Sequence, residues 1–285
     1  MQKSILITGC SSGIGLCAAE TLHKKGYRVF ATARKEADVQ KLKDKGLTDS
    51  LQLDVNNTDS MRAALKEILA KTGGTLDALF NNSGYAVPGA VEDLTRDMMR
   101  AQFETNVFGA MELTNLVIPI MRKQDYGRII QNSSMLGIVT MPYRGAYNAS
   151  KFALEGFSNT LRQELRGTKI FVSIIAPGPI QSSFRQNAHD QFDKTLRGKD
   201  SAHVGVYKKM EEFFFVPPDS ERKLTLPPSA VVKKLLHALE SPRPKAHYYV
   251  GMPAHLFAIL RRILPDWALD YVVAIATREE SKAAK

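Results

Sequence analysis

Seven short apolar runs, separated by longer segments of helical periodicity, set the tightest limit on what this chain can fold into. They are "SILIT" (4–8), "YRVFATA" (27–33), "DSLQLDV" (49–55), "LDALFNN" (76–82), "GRIIQNSS" (127–134), "KIFVSIIAP" (169–177) and "HYYVG" (247–251). Between them, segments 13–25, 58–71, 95–122 and 147–166 carry apolar residues at helical spacing. Near-continuous apolar strands alternating with helices require a parallel sheet covered on both faces. The expected fold is therefore α/β. It is a single doubly wound Rossmann-type domain with a seven-stranded parallel sheet, helices on both faces and a C-terminal helical extension.

The domain is read over residues 1–251 and the extension over 252–285. Residues 182–228 form a long insertion after the sixth strand, rich in charge and carrying "EEFFFVPP" (211–218). Segments of this length in a compact domain usually serve function. No apolar stretch approaches the ~20 residues of a membrane-spanning helix. The Met1 end lacks the features of a signal peptide. The two cysteines, Cys10 and Cys17, both sit in the first glycine motif, so no disulfide framework is expected and the setting should be cytoplasmic. The formal charge of +10 comes from basic residues spread along the chain, without a nucleic-acid motif, which excludes a nucleic-acid partner. Six histidines at no helical metal spacing point to no metal site.

"TGCSSGIG" (8–15) follows the first strand and opens the first helix. Gly9, Gly13 and Gly15 permit a tight turn and let backbone N–H groups approach a pyrophosphate at the helix N-terminus. An NAD site would place a carboxylate at the end of the second strand. Here Ala33 ends that strand, Arg34 and Lys35 follow, and no acid appears before Glu36. Arg34 suits a 2′-phosphate, and the Ser11 and Ser12 hydroxyls can reach it too, so the expected cofactor is NADP(H). Asp54, past the third strand, either accepts from adenine's amino group or caps the helix that begins near Thr58. In "NNSG" (81–84), Asn81 and Asn82 can tie strand ends together, and Gly84 lets the backbone pass beside the cofactor.

"YNASK" (147–151) places Tyr147 and Lys151 on one helix face. A neighbouring ammonium favours the phenolate, lowering a pKa that is otherwise ~10. Tyr147 would then act as general acid or base. "NSS" (132–134) ends the fifth strand, where a hydroxyl can donate to a substrate oxygen on which negative charge develops.

With "TGCSSGIG", "NNSG", "ETNVFG" (104–109), "GRIIQNSS", "YNASK" and "PGPIQS" (177–182) in this order, the chain resembles the short-chain dehydrogenase/reductase family. The resemblance covers roughly residues 1–181 and extends more loosely to 251. "GCSSGIG" joined to Arg34 is similar to the NADP-preferring branch that contains 17β-hydroxysteroid and retinol dehydrogenases. The resemblance implies that Tyr147 is the acid/base, and that Lys151 holds the nicotinamide ribose. It implies that Ser134 orients the carbonyl and that Asn106 keeps a water in a relay to Lys151. It adds Ile14, Pro177, Ile180 and Ser182 to the cofactor contacts, with the Ser182 hydroxyl on the carboxamide. Ser83 stands where the family usually has alanine, and Ser182 where threonine is common.

The expected function is an NADP(H)-dependent oxidoreductase interconverting a small, lipophilic aldehyde or ketone and its alcohol, with reduction preferred. One rival is a non-catalytic NADP-binding sensor or scaffold, which would have no need of Ser134, Tyr147 and Lys151 together. Others are a membrane-surface or structural protein and a reductase of acyl-carrier thioester ketones; the insertion and tail count against the last.

In the tail, "AHLFAILRRIL" (254–264) puts Leu256, Ile259, Leu260 and Ile263 on one stripe, widened by Phe257 and Leu264. His255, Arg261 and Arg262 are placed opposite. Pro265 ends this helix before "DWALDYVVAIA". The favoured reading packs the stripe on the domain or on a second subunit of a homo-oligomer. The alternative is a peripheral helix on the anionic inner membrane surface that admits a lipophilic substrate beside the insertion.

Overall fold

The computed structural model describes residues 2–214 and 224–278. Seven strands form one sheet: β1 (Ser4–Ile7), β2 (Arg28–Ala33), β3 (Leu51–Gln52), β4 (Ala78–Asn81), β5 (Gly127–Asn132), β6 (Ile170–Pro177) and β7 (His247–Val250). Their order is β3-β2-β1-β4-β5-β6-β7, and every adjacent pair is parallel. The expected doubly wound sheet is present, with its order reversing beside β1, where β2 and β4 lie on either side.

The strand side chains alternate between two cores, as a period of two demands. Ile5 and Ile7 of β1 pack with Leu22, Val231 and Leu235. These come from α1 (Gly13–Lys24) and, far along the chain, from a helix at Ser229–Glu240. Leu6 points the other way, to Phe30, Ile68, Leu113 and Val117. On the first side α2 (Glu36–Asp44) places Val39 and Leu42 in that core; on the second lie α3 (Thr58–Thr72), α5 (Gly109–Lys123) and α6 (Gly145–Glu164), while α4 (Arg96–Phe103) places Met98 in a separate cluster with Val87, Phe192 and Tyr207.

Two elements depart from the sequence expectation. The third strand contributes only Leu51 and Gln52 to the ladder; Asp49 is drawn into ion pairs with Arg28 and Lys71, and the chain past Leu53 turns toward α3. The helix expected over 95–122 is interrupted between α4 and α5 by a π-helical turn at Glu104–Phe108. Such a turn inserts an extra residue into the helical path and often marks a functional side chain.

The insertion forms α7 (Phe184–Thr195) and α8 (Val204–Phe214), followed after residue 223 by α9 (Ser229–Glu240). Most of "FFFVPP" lies outside the described residues. The extension forms α10 (Met252–Ile263) and α11 (Asp266–Ala276), joined at Pro265 as expected. Its orientation differs from one half of the favoured reading, that of a stripe packed on the domain. Pro253, Ala254, Phe257 and Ala258 are the buried residues of α10, while Leu256, Ile259 and Ile263 are exposed. Phe257 belongs to the packed face rather than to the Leu/Ile stripe. Two small alanines let this helix approach closely, so the bulky stripe is turned outward.

The carboxyl ends of the central strands are tied by one side-chain amide. Asn82 Nδ2 donates to Thr8 O (2.9 Å) and Gly9 O (3.1 Å), and Asn82 Oδ1 accepts from Asn132 Nδ2 (2.9 Å). Thr8 Oγ1 in turn accepts from the Asn82 and Ser83 N–H groups, each at 2.9 Å. Asn82→Ala should therefore cost about 1–3 kcal/mol by stranding these carbonyls. In urea unfolding, Asn82→Asp should be worse still, because it sets a carboxylate against two carbonyl oxygens. A wild-type midpoint in both variants would show that the clamp is dispensable.

Candidate active site

The glycine turn lies between β1 and α1, at the reversal of strand order. Gly9 and Gly13 adopt φ of +70° and +57°, which L side chains avoid. A Cβ on Gly15 would meet Gly9 O at 2.2 Å, so the helix can start this close to the turn only without a side chain there. Ser12 is the N-cap of α1, makes no side-chain capping bond, and no acid occupies the first turn. Ser11 is exposed and Ile14 packs partly against the core. Ser182 reaches this turn from β6, since a Cβ on Gly13 would come within 2.9 Å of its Cβ. Pro177 ends β6, and Ile180 bridges to Leu226 near the end of the insertion. These residues thus gather at the carboxyl end of the sheet, where open α/β folds bind ligands.

At the end of β2, Arg34 and Lys35 are exposed and Glu36 already begins α2. The Arg34 charge is felt at Tyr85, whose hydroxyl is raised mainly by burial with Arg34 working against it. Asp54 Oδ1 accepts from Asn56 N at 3.0 Å; the N-cap of α3 is Asn57 rather than Asp54. Asn81 turns its side-chain amide to Ala110 O and Thr114 Oγ1 on α5, away from the glycine turn. Ser83 is only half-buried, so the departure from alanine strands no hydroxyl.

Ser134, Tyr147 and Lys151 come together. Ser134 Oγ accepts from Leu136 N at 3.1 Å and sits close enough to the Tyr147 phenol to pull its pKa downward, while the neighbouring Ser133 hydroxyl is buried without a hydrogen-bond partner. Lys151 Nζ lies 5.6 Å from the Tyr147 ring centroid and donates to Asn132 O at 2.7 Å. Burial pushes Tyr147 up to about 12, with the Ser134 hydrogen bond opposing it. Burial also brings Lys151 down to about 8, against the charge of Glu155. The expectation that the ammonium lowers the phenol's pKa is corrected by this arrangement. Desolvation dominates, Lys151 is held by a carbonyl, and Tyr147 keeps its proton across neutral pH.

Asn106 sits in the π-helical turn, buried. Its Oδ1 accepts from Tyr85 N (3.1 Å), and its Nδ2 donates to Tyr85 O (3.0 Å) and Ser150 Oγ (3.1 Å). Ser150 Oγ donates to Tyr147 O at 2.8 Å, joining Asn106 to α6. Gly84 backs onto both groups: a Cβ there would lie 3.3 Å from Asn106 Oδ1 and 3.7 Å from Lys151 Nζ.

Two contributors escaped the sequence reading. Glu155, one turn past Lys151, is buried and its Oε2 lies 2.9 Å from His247 Nε2 on β7. The i+4 spacing was a usable signal for it. Phe184 of α7 meets Tyr147 edge-on at 5.3 Å, with Ala86, Met135, Leu136, Phe257, Leu269 and Val273 in the same cluster. Its place inside an insertion gave the sequence no way to find it. Among the described residues, His189, Asp193 and Glu211 have metal-like spacing. Arg197 already sits among them, 3.2 Å from His189, 2.8 Å from Asp193 and 2.6 Å from Glu211.

Residues 3–193 match the family model described as short chain dehydrogenase. The chain is 39% identical over 274 residues to the uncharacterized oxidoreductase YbbO of Escherichia coli K12, covering 96% of this chain and 94% of that protein. It is 39% identical over 272 residues to the 3-ketodihydrosphingosine reductase of Bacteroides thetaiotaomicron, covering 95% and 96%. Identity to human retinol dehydrogenase 8 is 34% over 256 residues, covering 85% and 79%. Among solved structures, a short-chain dehydrogenase from Streptomyces avermitilis superposes with TM-score 0.73 at 27% identity, covering 99% and 97%. The closed form of serine dehydrogenase with NADP+ gives 0.68 at 26%, covering 87% and 94%.

The lowered Lys151 pKa makes a stability prediction. Between about pH 8 and 10.5 the unfolded chain binds a proton at Lys151 that the folded chain has released. Stability from this group therefore rises with pH across that window. Urea unfolding of wild type and Lys151→Met at pH 7 to 10 should show the wild type gaining on the variant as pH rises. Parallel curves would mean that the ammonium is not penalised by burial.

Proposed function

The chain belongs to the short-chain dehydrogenase family, and from that premise we propose that it is an NADP(H)-dependent reductase of an apolar aldehyde or ketone. The observation that carries this reading is the convergence of three groups: the Ser134 hydroxyl beside the Tyr147 phenol, and Lys151 Nζ 5.6 Å from its ring centroid. A catalytic phenol that holds its proton at neutral pH is a proton donor. A non-catalytic sensor would have no use for this alignment.

The turn suits a dinucleotide: Gly9 and Gly13 hold positive φ, and the α1 N-terminus carries no acid in its first turn. When bound, the reduced dinucleotide supplies the hydride that goes to the carbonyl carbon. The chain's own residues do the rest. Ser134 donates to the carbonyl oxygen as charge develops there. Tyr147 then transfers its phenolic proton to that oxygen, completing the alcohol. Lys151 supports the ribose, and Asn106 holds Tyr85 and Ser150 so that the strand end and the catalytic helix keep their spacing.

Support for the 2′-phosphate comes from the exposed Arg34 and Lys35 and from the absence of a carboxylate at the end of β2. The serine dehydrogenase neighbour was solved with NADP+. An apolar substrate is favoured by the wall beside Tyr147, built from Leu136, Phe184, Phe257 and Leu269. Two relatives are named for 3-ketodihydrosphingosine and retinol.

Tyr147→Phe should leave NADPH binding nearly intact and cut turnover of a medium-chain aldehyde at least ~100-fold, the scale of general acid catalysis. More than a tenth of wild-type kcat would sink the assignment. Arg34→Ala should weaken NADPH about ten- to a hundred-fold, the worth of a charge-assisted phosphate contact, and leave NADH almost unchanged. Equal loss for both cofactors would make Arg34 a structural residue.

A further inference from the structure

The extension has two faces with different destinations. Ala254 and Phe257 of α10 and Leu269 and Val273 of α11 pack in one cluster with Tyr147 and Phe184. Both helices therefore turn their inner faces to the catalytic tyrosine and their outer faces away from it. Seven large apolar side chains stand on those outer faces. They are Met252, Leu256, Ile259 and Ile263 on α10, and Trp267, Tyr271 and Ile275 on α11, at 42% to 76% exposure. Their spacing of three or four residues makes each set one continuous row. Single exposed apolar residues mean little, but rows of this kind mark an interaction surface.

We propose that this outer surface of α10 and α11 rests on an anionic lipid bilayer and delivers a lipophilic carbonyl substrate to Tyr147 through the wall that the same helices form. The substrate clause rests on the reading under Proposed function; the docking surface does not.

Three observations favour a bilayer over a second copy of the chain. The most exposed member is Trp267, at 76%, with Tyr271 at 68%, and these amphipathic rings favour the headgroup level of a membrane. His255 and Arg262, seven residues apart and both exposed, border the α10 row, and exposed Arg278 continues the α11 row. Among the described residues, Asp270 is the one exposed acid beside that row without a cationic partner, since Asp266 is paired with Arg261 at 2.6 Å. The chain's net charge of +10 adds long-range attraction to an anionic surface. A stable protein interface uses roughly 20–30 residues a side, whereas these rows are narrow and bordered by charge. Shallow insertion of one helical face is what an interfacial helix does.

Trp267 is the only tryptophan, so its emission reports on this surface directly. The full chain would be titrated with phosphatidylglycerol and phosphatidylcholine vesicles at low and high salt, following tryptophan emission and cosedimentation. The expected result is a blue shift and cosedimentation with phosphatidylglycerol that weaken with salt and are much smaller on phosphatidylcholine. Ile259→Ser/Ile263→Ser should weaken partition at least about tenfold through lost apolar burial, and Arg262→Glu should steepen the loss on anionic vesicles. Both variants should keep wild-type turnover of a short, water-soluble aldehyde with NADPH, which shows that they are folded. No shift and no cosedimentation of the wild-type chain would overturn the proposal. So would a wild-type dimer in solution that the Ile259/Ile263 variant dissociates, since that assigns the rows to a second copy. Vesicle binding by a chain that turns over no carbonyl would keep the docking surface and remove the reductase reading.

Discussion

A buried ammonium must have an oxygen partner, and much of the site is arranged around giving Lys151 one. Its partner is Asn132 O, at the last residue of β5. That carbonyl is in place because Asn132 is itself tied through its amide to Asn82, and Asn82 to the carbonyls of Thr8 and Gly9. One chain of hydrogen bonds thus runs from the glycine turn across β4 and β5 to Lys151 on α6. Leaving any of these buried groups unpaired would cost more than the bond itself returns. The position of the lysine and the position of the cofactor turn are therefore set together.

The same chain has a second branch. The π-helical turn lets Asn106 face inward from a helix that otherwise runs past the sheet. Both ends of its amide are used on Tyr85, and its amino group also reaches Ser150 on α6. The spacing between the loop after β4 and α6 is thereby fixed by one side chain. Ser150, small and polar, fits between Tyr147 and Lys151 because its hydroxyl returns to the Tyr147 carbonyl. The small residues of "YNASK" are thus part of the device, beyond merely leaving the phenol and ammonium unobstructed.

What the sequence disclosed follows from how local each feature is. All seven strands were legible, because two-face burial writes an apolar run into each. The meeting of Ser134, Tyr147 and Lys151 was legible, because a strand end and one helix face are both written locally in the sequence. The sense of the Tyr147 pKa shift was not, since it depends on desolvation by Phe184 and the tail, which approach from distant parts of the chain. The Lys151 partner was hidden for another reason: a backbone carbonyl has no letter in the sequence. Asn81 and Asn82 are adjacent and identical in type, yet strand alternation sends one to α5 and the other to the strand ends.

The tail shows how a periodic pattern can be read correctly while the face it turns to its own domain is not. Its helix has an apolar stripe of Leu and Ile and, opposite, a second apolar face of Pro253, Ala254, Phe257 and Ala258. Hydrophobicity alone ranks the Leu/Ile stripe as the one to bury. Close packing beside Met135, Tyr147 and Tyr249 instead selects the face with small residues and one aromatic ring. A helix that satisfies the core with its smaller face has its larger apolar face left over. Among the described residues that surplus has no place in the core, and the rows that run from Met252 to Ile275 are left as a surface for docking.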